Sequence, residues 1–170
     1  MASDDHAADP IRSILVPSDG SDAAREALER ALQLAELDGA IVHVLAVVDT
    51  TTNPFRFGVA DVVELDRATR RLVDEIVDAY DDRDVEIHGA IRRGRPASAT
   101  LTYAEENGID LLVVGRTGSG GVTETLLGST ADRLLRQASI PVVVVPDEKS
   151  GRSGESETDR DETQAGDRRD

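Results

Sequence analysis

The sequence contains no cysteine and very few aromatic residues, and both shortages narrow its chemistry. Without cysteine there can be no disulfide, no thiol nucleophile and no cysteine-based zinc site. The three histidines, His6, His43 and His88, are scattered, so a histidine-rich metal centre is not expected. Aromatic residues make up 2% of the chain, which leaves few platforms for stacking nucleic-acid bases.

Lysine is also nearly absent, and the charge balance is strongly acidic. Lys149 is the only lysine among 19 basic residues, and these face 34 acidic residues to give a net charge of −15. Such a surface repels phosphate backbones, so no nucleic-acid partner is expected. Two hypotheses explain the composition: adaptation to high salt, which screens self-repulsion, or an ordinary acidic protein from a GC-rich genome.

The chain has no apolar run of the roughly 18 residues that would span a membrane. Its acidic start lacks the basic-then-apolar order of a signal peptide, so we expect a cytoplasmic protein with no membrane partner. We expect a flexible tail at 1–9 and a single domain at 10–147. The charged stretch 148–170 is rich in serine and glycine, and we predict that it is disordered.

Strand-like and helix-like patterns alternate along the domain. Apolar runs predict strands, and apolar residues at helical spacing predict amphipathic helices between them. The predicted strands are 11–16, 40–48, 85–91, 110–114 and 140–145, and the helical patterns cover 24–35, 62–80, 97–104 and 126–135. Ser21 is the predicted N-cap of the first helix, and Asp38-Gly39 is predicted to end it. This order is typical of an α/β fold, a doubly wound parallel sheet with helices on both faces.

Two loops after predicted strands have the chemistry of a ligand site. One is Pro17-Ser18-Asp19-Gly20, and the other follows the fourth strand with the spacing Gly115-x2-Gly118-x9-Gly128-Ser129. Glycine lets the backbone approach phosphate, and a helix N-terminus adds partial positive charge. In an open parallel sheet, ligands bind where the winding reverses. If the first and fourth strands are neighbours, both loops meet there.

These loops can also be explained without a ligand. The glycines can form a plain turn, Asp19 before Gly20 is ordinary turn chemistry, and Ser129 with Asp132 matches a capping box. His43 and His88 fit packed or edge positions better than ligand positions. The arginines 92, 93 and 95 fit a solvated strand end better than an anion site. The P-loop, the dinucleotide fingerprint and the nucleophile elbow are absent from the sequence.

Five blocks in order resemble the universal stress protein (UspA-like) family. They are ILVPSDGSDAAREAL, the GRP turn at 94–96, IDLLVVG at 109–115, the glycine signature, and the closing PVVVVP. Because the signature is complete, the chain resembles the ATP-binding subgroup. The resemblance implies a Rossmann-like sheet of the adenine nucleotide alpha hydrolase type, in the order 3-2-1-4-5. It departs mildly at Ser18, where a small apolar residue or threonine is frequent.

The resemblance also implies a ligand and its contacts. The ligand is ATP, or AMP or ADP, with Mg²⁺ or Mn²⁺ on the phosphates. Asp19 and the backbone around it face the ribose and adenine, Val47 lies near adenine, and the glycine segment holds the ribose and phosphates. The implied nucleotide-binding residues are Pro17, Ser18, Asp19, Val47, Gly115, Arg116, Gly118, Gly128, Ser129 and Thr130. The last strand, Val142–Val145, is implied as the homodimer contact.

Three functions remain open at this point. The first is a stress-response protein that binds ATP as a regulatory ligand. The second is a dimeric interaction module that does not bind nucleotide. The third is a weak ATPase or a nucleotide-dependent transferase, for which the sequence offers no evident general base, so at most slow hydrolysis is expected.

Overall fold

The computed structural model describes residues 9–51, 59–118 and 126–147. Residues 1–8 of the tail predicted at 1–9, the tail predicted at 148–170, most of the loop before the second helix and residues 119–125 of the glycine segment lie outside the described residues. Within those ranges, strands and helices alternate throughout. The strands are β1 (Ser13–Pro17), β2 (Ile41–Val48), β3 (Ile87–Arg93), β4 (Leu111–Gly115) and β5 (Val142–Val145). The helices are α1 (Asp22–Asp38), α2 (Val59–Ala79), α3 (Pro96–Glu106) and α4 (Ser129–Gln137).

The five strands form one parallel sheet in the order β3-β2-β1-β4-β5. This confirms the predicted fold, including the order that the family resemblance implied. The winding reverses between β1 and β4, since β1 pairs with β2 on one side and with β4 on the other. The carboxyl ends of β1 and β4 therefore lie side by side at the switch point of the sheet.

Helices cover both faces of the sheet, which is why the central strands are apolar on both sides. On one face, Ile14, Val16 and Val44 pack with the apolar stripe of α1 around Leu28 and Leu32. On the other face, Leu15, Leu45, Leu112 and Val114 pack with residues of α3 and α4 such as Tyr103 and Leu134. No helix within the described ranges is long and apolar enough to cross a membrane.

The ends of α1 follow the predicted signals. Ser21 is the N-cap, and its hydroxyl accepts a hydrogen bond of 3.2 Å from the amide of Ala24. Gly39 ends the helix with φ of +69°, and its amide donates to the carbonyl of Ala35 at 2.8 Å.

In most elements the predicted bounds differ from the observed ones by one to three residues. The third strand extends from Ile87 to Arg93, because its backbone pairs with β2 from Val42 to Val48 even where its side chains are polar and exposed. The second helix begins at Val59 and not at residue 62. The fourth helix begins at Ser129 and not at Leu126, whose side chain is 58% exposed, because Gly128 has the extended backbone of an N-cap.

Candidate functional site

A cavity of about 380 Å³ opens at the switch point of the sheet. Its size falls in the range of roughly 300–1,000 Å³ that is usual for small-molecule sites. The lining comes from the carboxyl ends of β1, β2 and β4 and from the first turns of α1, α3 and α4. The cavity therefore lies where an open parallel sheet is expected to bind its ligand.

All ten residues singled out from the sequence line this one cavity. They are Pro17, Ser18, Asp19, Val47, Gly115, Arg116, Gly118, Gly128, Ser129 and Thr130. The lining also includes residues that the sequence analysis missed: Ala24, Leu45, Asp49, Pro96, Thr100, Val114, Thr117 and Ala131. Pro96 and Thr100 are four residues apart on α3, so they lie on the same face of the helix. This spacing could have identified both residues once the start of α3 was assigned to the edge of the sheet that carries the cavity.

The loops after β1 and β4 meet directly. A Cβ atom on Gly118 would lie 3.1 Å from Oδ2 of Asp19, which is tighter than ordinary contact. The other carboxylate oxygen, Oδ1, accepts a hydrogen bond of 3.0 Å from the amide of Ser21. Asp19 thus makes the predicted turn contact and also reaches the glycine loop. The turn contact therefore does not exclude a role for Asp19 in a ligand site.

The glycine loop folds back onto the start of α4. The amide of Gly128 donates to the carbonyl of Arg116 at 2.7 Å, and a Cβ on Gly128 would lie 3.1 Å from that same oxygen. Because backbone atoms cannot move aside as a side chain can, glycine is needed at this close approach. Arg116 and Gly128 therefore lie side by side at the cavity.

Helix α4 points its N-terminus at the cavity. Gly128, Ser129, Thr130 and Ala131, which form its cap and first turn, all line the cavity. The first amides of a helix have no partner within the helix and attract anions. The alternative explanation of Ser129 as a capping box with Asp132 is wrong, because Gly128 is the N-cap and no side chain caps this helix. The Asp132 carboxylate instead pairs with Arg136 at 3.0 Å.

Part of the cavity lining is apolar. Leu45, Val47 and Val114 belong to the core beneath α3 and α4, together with Ala131. The amide of Ser18 donates to the carbonyl of Leu45 at 2.8 Å, which extends the β1–β2 pairing to the rim. The lining could thus accommodate both a flat apolar ring and an anionic group.

Charged groups in the described lining are Asp19, Asp49 and Arg116. The guanidinium of Arg116 lies 3.2 Å from the carboxylate of Asp147, which follows β5. The hydroxyl of Thr117 lies 3.2 Å from both oxygens of the same carboxylate. Asp49 accepts hydrogen bonds from the amide of Thr51 at 2.9 Å and from its hydroxyl at 2.7 Å.

His43 and His88 do not line the described part of the cavity, and they fit the packed and edge positions expected of them. His43 is 9% exposed, and its Nδ1 lies 2.9 Å from the hydroxyl of Tyr103 on α3. Burial lowers the pKa of His43, nearby His88 lowers it further, and Glu86 opposes this shift. His88 is exposed on the edge strand β3, and its Nε2 lies 2.6 Å from Oε1 of Glu86. Among the described residues, no group of three histidine, aspartate or glutamate side chains is arranged to hold a metal.

Arg92 and Arg93, at the end of β3, contact neighbouring side chains. Arg92 lies over the ring of Tyr103, 5.0 Å from its centroid, and 3.5 Å from the carboxylate of Glu106. Arg93 forms an ion pair with Asp66 on α2. These contacts support the solvated strand end over the anion site for both residues.

Comparison with known proteins agrees with this fold. A model of the universal stress protein family matches residues 10–146. Universal stress protein MJ0531 of Methanocaldococcus jannaschii is 32% identical over 140 residues, covering 79% of this chain and 81% of that protein. The solved structure of MJ0577 from the same organism superposes with a TM-score of 0.75 at 25% identity, covering 82% of this chain and 98% of that one.

A second solved structure is a universal stress protein in complex with cAMP. It superposes with a TM-score of 0.63 at 26% identity, and the match covers 80% of this chain and 97% of that one. The family model spans most of the chain, from before β1 to the end of β5. On these matches the chain belongs to the universal stress protein family.

Proposed function

We propose that this protein binds ATP, or the related nucleotides AMP or ADP, as a regulatory ligand in the cavity at the switch point. The main support is the meeting of the two loops, where a Cβ on Gly118 would crowd Asp19. Glycine at position 118 lets the backbone of this loop approach the carboxylate of Asp19 at the cavity. The cAMP complex of a protein 26% identical supports an adenine nucleotide as the ligand class.

The character of the lining suggests how the nucleotide would lie. Adenine would pack on the apolar wall near Val47, and the carboxylate of Asp19 would accept hydrogen bonds from ribose hydroxyls. The phosphates would lie at the N-terminus of α4, where amides and the hydroxyls of Ser129 and Thr130 can donate. The remaining proposed contacts are the backbone around Pro17 and Ser18, and Gly115, Arg116, Gly118 and Gly128.

A divalent cation, Mg²⁺ or Mn²⁺, would accompany the phosphates. The described lining has two carboxylates and one guanidinium, so the protein itself supplies little positive charge. When bound, the cation would offset the charge of the phosphates. Nucleotide oxygens would have to supply much of its coordination, since no cluster of three acidic or histidine ligands is found among the described residues.

Isothermal titration in high salt tests the proposal. ATP, AMP and cAMP are titrated with and without Mg²⁺, and GTP serves as the matched control for the base. Binding of at least one adenine nucleotide in preference to its guanine counterpart is the expected result. No heat and no thermal shift with any adenine nucleotide would favour an interaction module that does not use nucleotide. Measuring phosphate release in the same samples separates a regulatory ligand from a substrate.

We also propose that the protein forms a homodimer through β5. Among the described strands β5 pairs only with β4, and Val143 on it is 39% exposed. An apolar edge strand of this kind is usually covered. Light scattering after size exclusion tests this: Val143→Lys is expected to yield monomers, and Leu37→Lys, at a side chain 81% exposed on α1, is expected to leave the dimer intact. A dimer that survives Val143→Lys would exclude this contact.

A further inference from the structure

The carboxylate of Asp147 lies against two consecutive residues of the glycine loop. One of its oxygens is 3.2 Å from Nη2 of Arg116, and both oxygens are 3.2 Å from the hydroxyl of Thr117. The side chains of Arg116 and Asp147 are 23% and 27% exposed, so the pair is largely shielded from solvent. A carboxylate thus lies directly behind two residues of the cavity lining.

Backbone pairing fixes the position of Asp147. Gly115 on β4 pairs with Val145 on β5, and the amide of Arg116 donates to the carbonyl of Val145 at 2.9 Å. Asp147 follows Val145 by two residues, so the pairing of β5 with β4 places it beside the glycine loop. The contact is therefore built into the register of the last two strands.

The glycine segment has little positive charge apart from Arg116. From residue 115 to residue 130 the sequence contains one basic residue, Arg116, and one acidic residue, Glu124. The other charged residues of the described lining, Asp19 and Asp49, are both acidic. Asp147 adds a further negative charge next to the one cation of this segment. Backbone amides and hydroxyl groups would therefore supply most of the attraction for a phosphate group at the N-terminus of α4.

We propose that Asp147 determines the charge selectivity of the cavity, an inference that rests on the proposed nucleotide function. By pairing with Arg116 it offsets the guanidinium and makes each added phosphate less favourable. A phosphate monoester already carries about 1.5 to 2 negative charges at pH 7. Without a divalent cation the site therefore favours nucleoside monophosphates and cyclic monophosphates over triphosphates. With the cation bound to its phosphates, ATP regains affinity.

The test compares ATP, AMP and adenosine on the wild-type protein and on Asp147→Asn. Asparagine keeps an oxygen that can accept from Thr117 and Arg116 but removes the charge. Titrations are done without divalent cation, at the lowest salt in which the protein stays folded by circular dichroism. The matched control is Asp38→Asn, which removes one negative charge at the far end of α1, roughly 20 Å from the first turn that lines the cavity.

The expected result is a rise of about tenfold in the affinity for ATP on Asp147→Asn, from the loss of a nearby repulsive charge. The rise for AMP is smaller, adenosine is unaffected, and Asp38→Asn changes none of the three. Adding Mg²⁺ reduces the difference between the wild type and Asp147→Asn.

Two results would overturn the inference while leaving the proposed function in place. One is an unchanged ratio of ATP to AMP affinity in Asp147→Asn. The other is an equal loss of all three ligands, adenosine included, which would mean that Asp147 only holds the loop in shape. If the wild-type protein binds none of the three ligands, adenosine, AMP and ATP, the proposed nucleotide function is overturned, and this inference with it.

Discussion

Asp19 and Gly118 lie on different loops of the chain, yet a methyl group on Gly118 would come within 3.1 Å of Oδ2 of Asp19. The contact exists because β1 and β4 are neighbours in the sheet and both end at the same edge. It joins the residue proposed to bind the ribose to the loop proposed to hold the phosphates. A small change at Gly118 therefore tests the proposed site directly.

Gly118→Ala is expected to lower nucleotide affinity by about tenfold, because the new methyl group pushes the Asp19 carboxylate or the loop from its position. The melting temperature should change little, since Gly118 is not among the glycines with a positive φ. Titration calorimetry and thermal unfolding measure the two effects.

The matched control is Gly108→Ala, which lies beyond α3 and outside the cavity lining. Gly108 has φ of +59°, so alanine there is expected to cost about 1 kcal/mol of stability and to leave nucleotide affinity intact. If Gly118→Ala binds nucleotide as tightly as Gly108→Ala, the loop has been assigned wrongly.

Gly115→Ala is expected to act on the fold first. Its Cβ would lie 2.7 Å from the carbonyl oxygen of Ala23 and 3.0 Å from the Cβ of Ala23, so β4 and α1 would have to separate. Overpacking of this kind costs about 1–3 kcal/mol. Urea unfolding should show a lower midpoint than for Gly118→Ala. Equal stability of the two variants would contradict the tight packing of α1 on β4.

Much of the fold could be predicted from the sequence, because local signals and tertiary contacts agree in it. The apolar runs mark the strands, and Ser21 and Gly39 mark the ends of α1 by backbone chemistry alone. The order of the strands could not be deduced from these signals, since pairing joins segments far apart along the chain. It came from the resemblance to a family, and the structure confirms it.

The glycine-rich loops of the site were predictable from the sequence, but the residues that α3 contributes were missed. The two loops stand out by glycine, proline and aspartate. Pro96 and Thr100 look like any first turn of a helix, and only the packing of α3 on the sheet places them at the cavity. Asp147 carries no local signal either, because its contact with Arg116 depends on the register of β5 against β4.

Asp110 is expected to stabilise the sheet at the amino ends of its strands, opposite to the carboxyl ends that line the cavity. Its Oδ2 accepts hydrogen bonds from the amides of Arg12 at 2.9 Å and Ser13 at 3.0 Å, and the bond from the Arg12 amide is the main reason that the pKa of Asp110 is lowered. Because the carboxylate is exposed, Asp110→Asn should cost only about 1 kcal/mol at neutral pH.

The pH dependence of the free energy of unfolding tests this role of the Asp110 carboxylate. A carboxyl with a lowered pKa in the folded state contributes stability above its ordinary pKa near 3.8, and this contribution is lost as the pH falls through the lower folded value. The gap in urea midpoint between the wild type and Asp110→Asn should therefore narrow as the pH is lowered from 7 to about 3. A gap that stays constant would mean that the charge of Asp110 does not matter.

The net charge of −15 predicts that salt stabilises the fold. Raising KCl from about 0.1 M to about 1 M shortens the screening length from about 10 Å to about 3 Å, which weakens repulsion among the acidic residues. The same screening weakens ion pairs such as Arg83 with Glu29 and Glu36, but these are few beside the excess negative charge. The melting temperature should therefore rise with KCl, and sucrose at equal osmolality should raise it less. A melting temperature indifferent to KCl would favour an ordinary acidic protein over a salt-adapted one.

The buried His43 predicts a loss of stability in mild acid. Burial first, and then the neighbouring His88, lower its pKa below the ordinary value of 6.5, with Glu86 acting in the opposite direction. Above that value His43 is neutral in both the folded and unfolded states, so its full contribution is present. As the pH falls below 6.5 the unfolded chain takes up the proton first, and stability is lost toward the lower folded pKa.

Urea unfolding between about pH 7.5 and pH 5 measures this loss, and His43→Gln is expected to flatten it because no imidazole remains to titrate beside Tyr103. His88→Gln is the matched comparison, since it keeps the buried imidazole and removes only the exposed neighbour 5.2 Å away. Its pH dependence should be weaker than that of the wild type but still present, because burial is the larger cause of the shift. An identical slope in the wild type and in His43→Gln would show that the packing of α3 on β2 does not depend on a neutral His43.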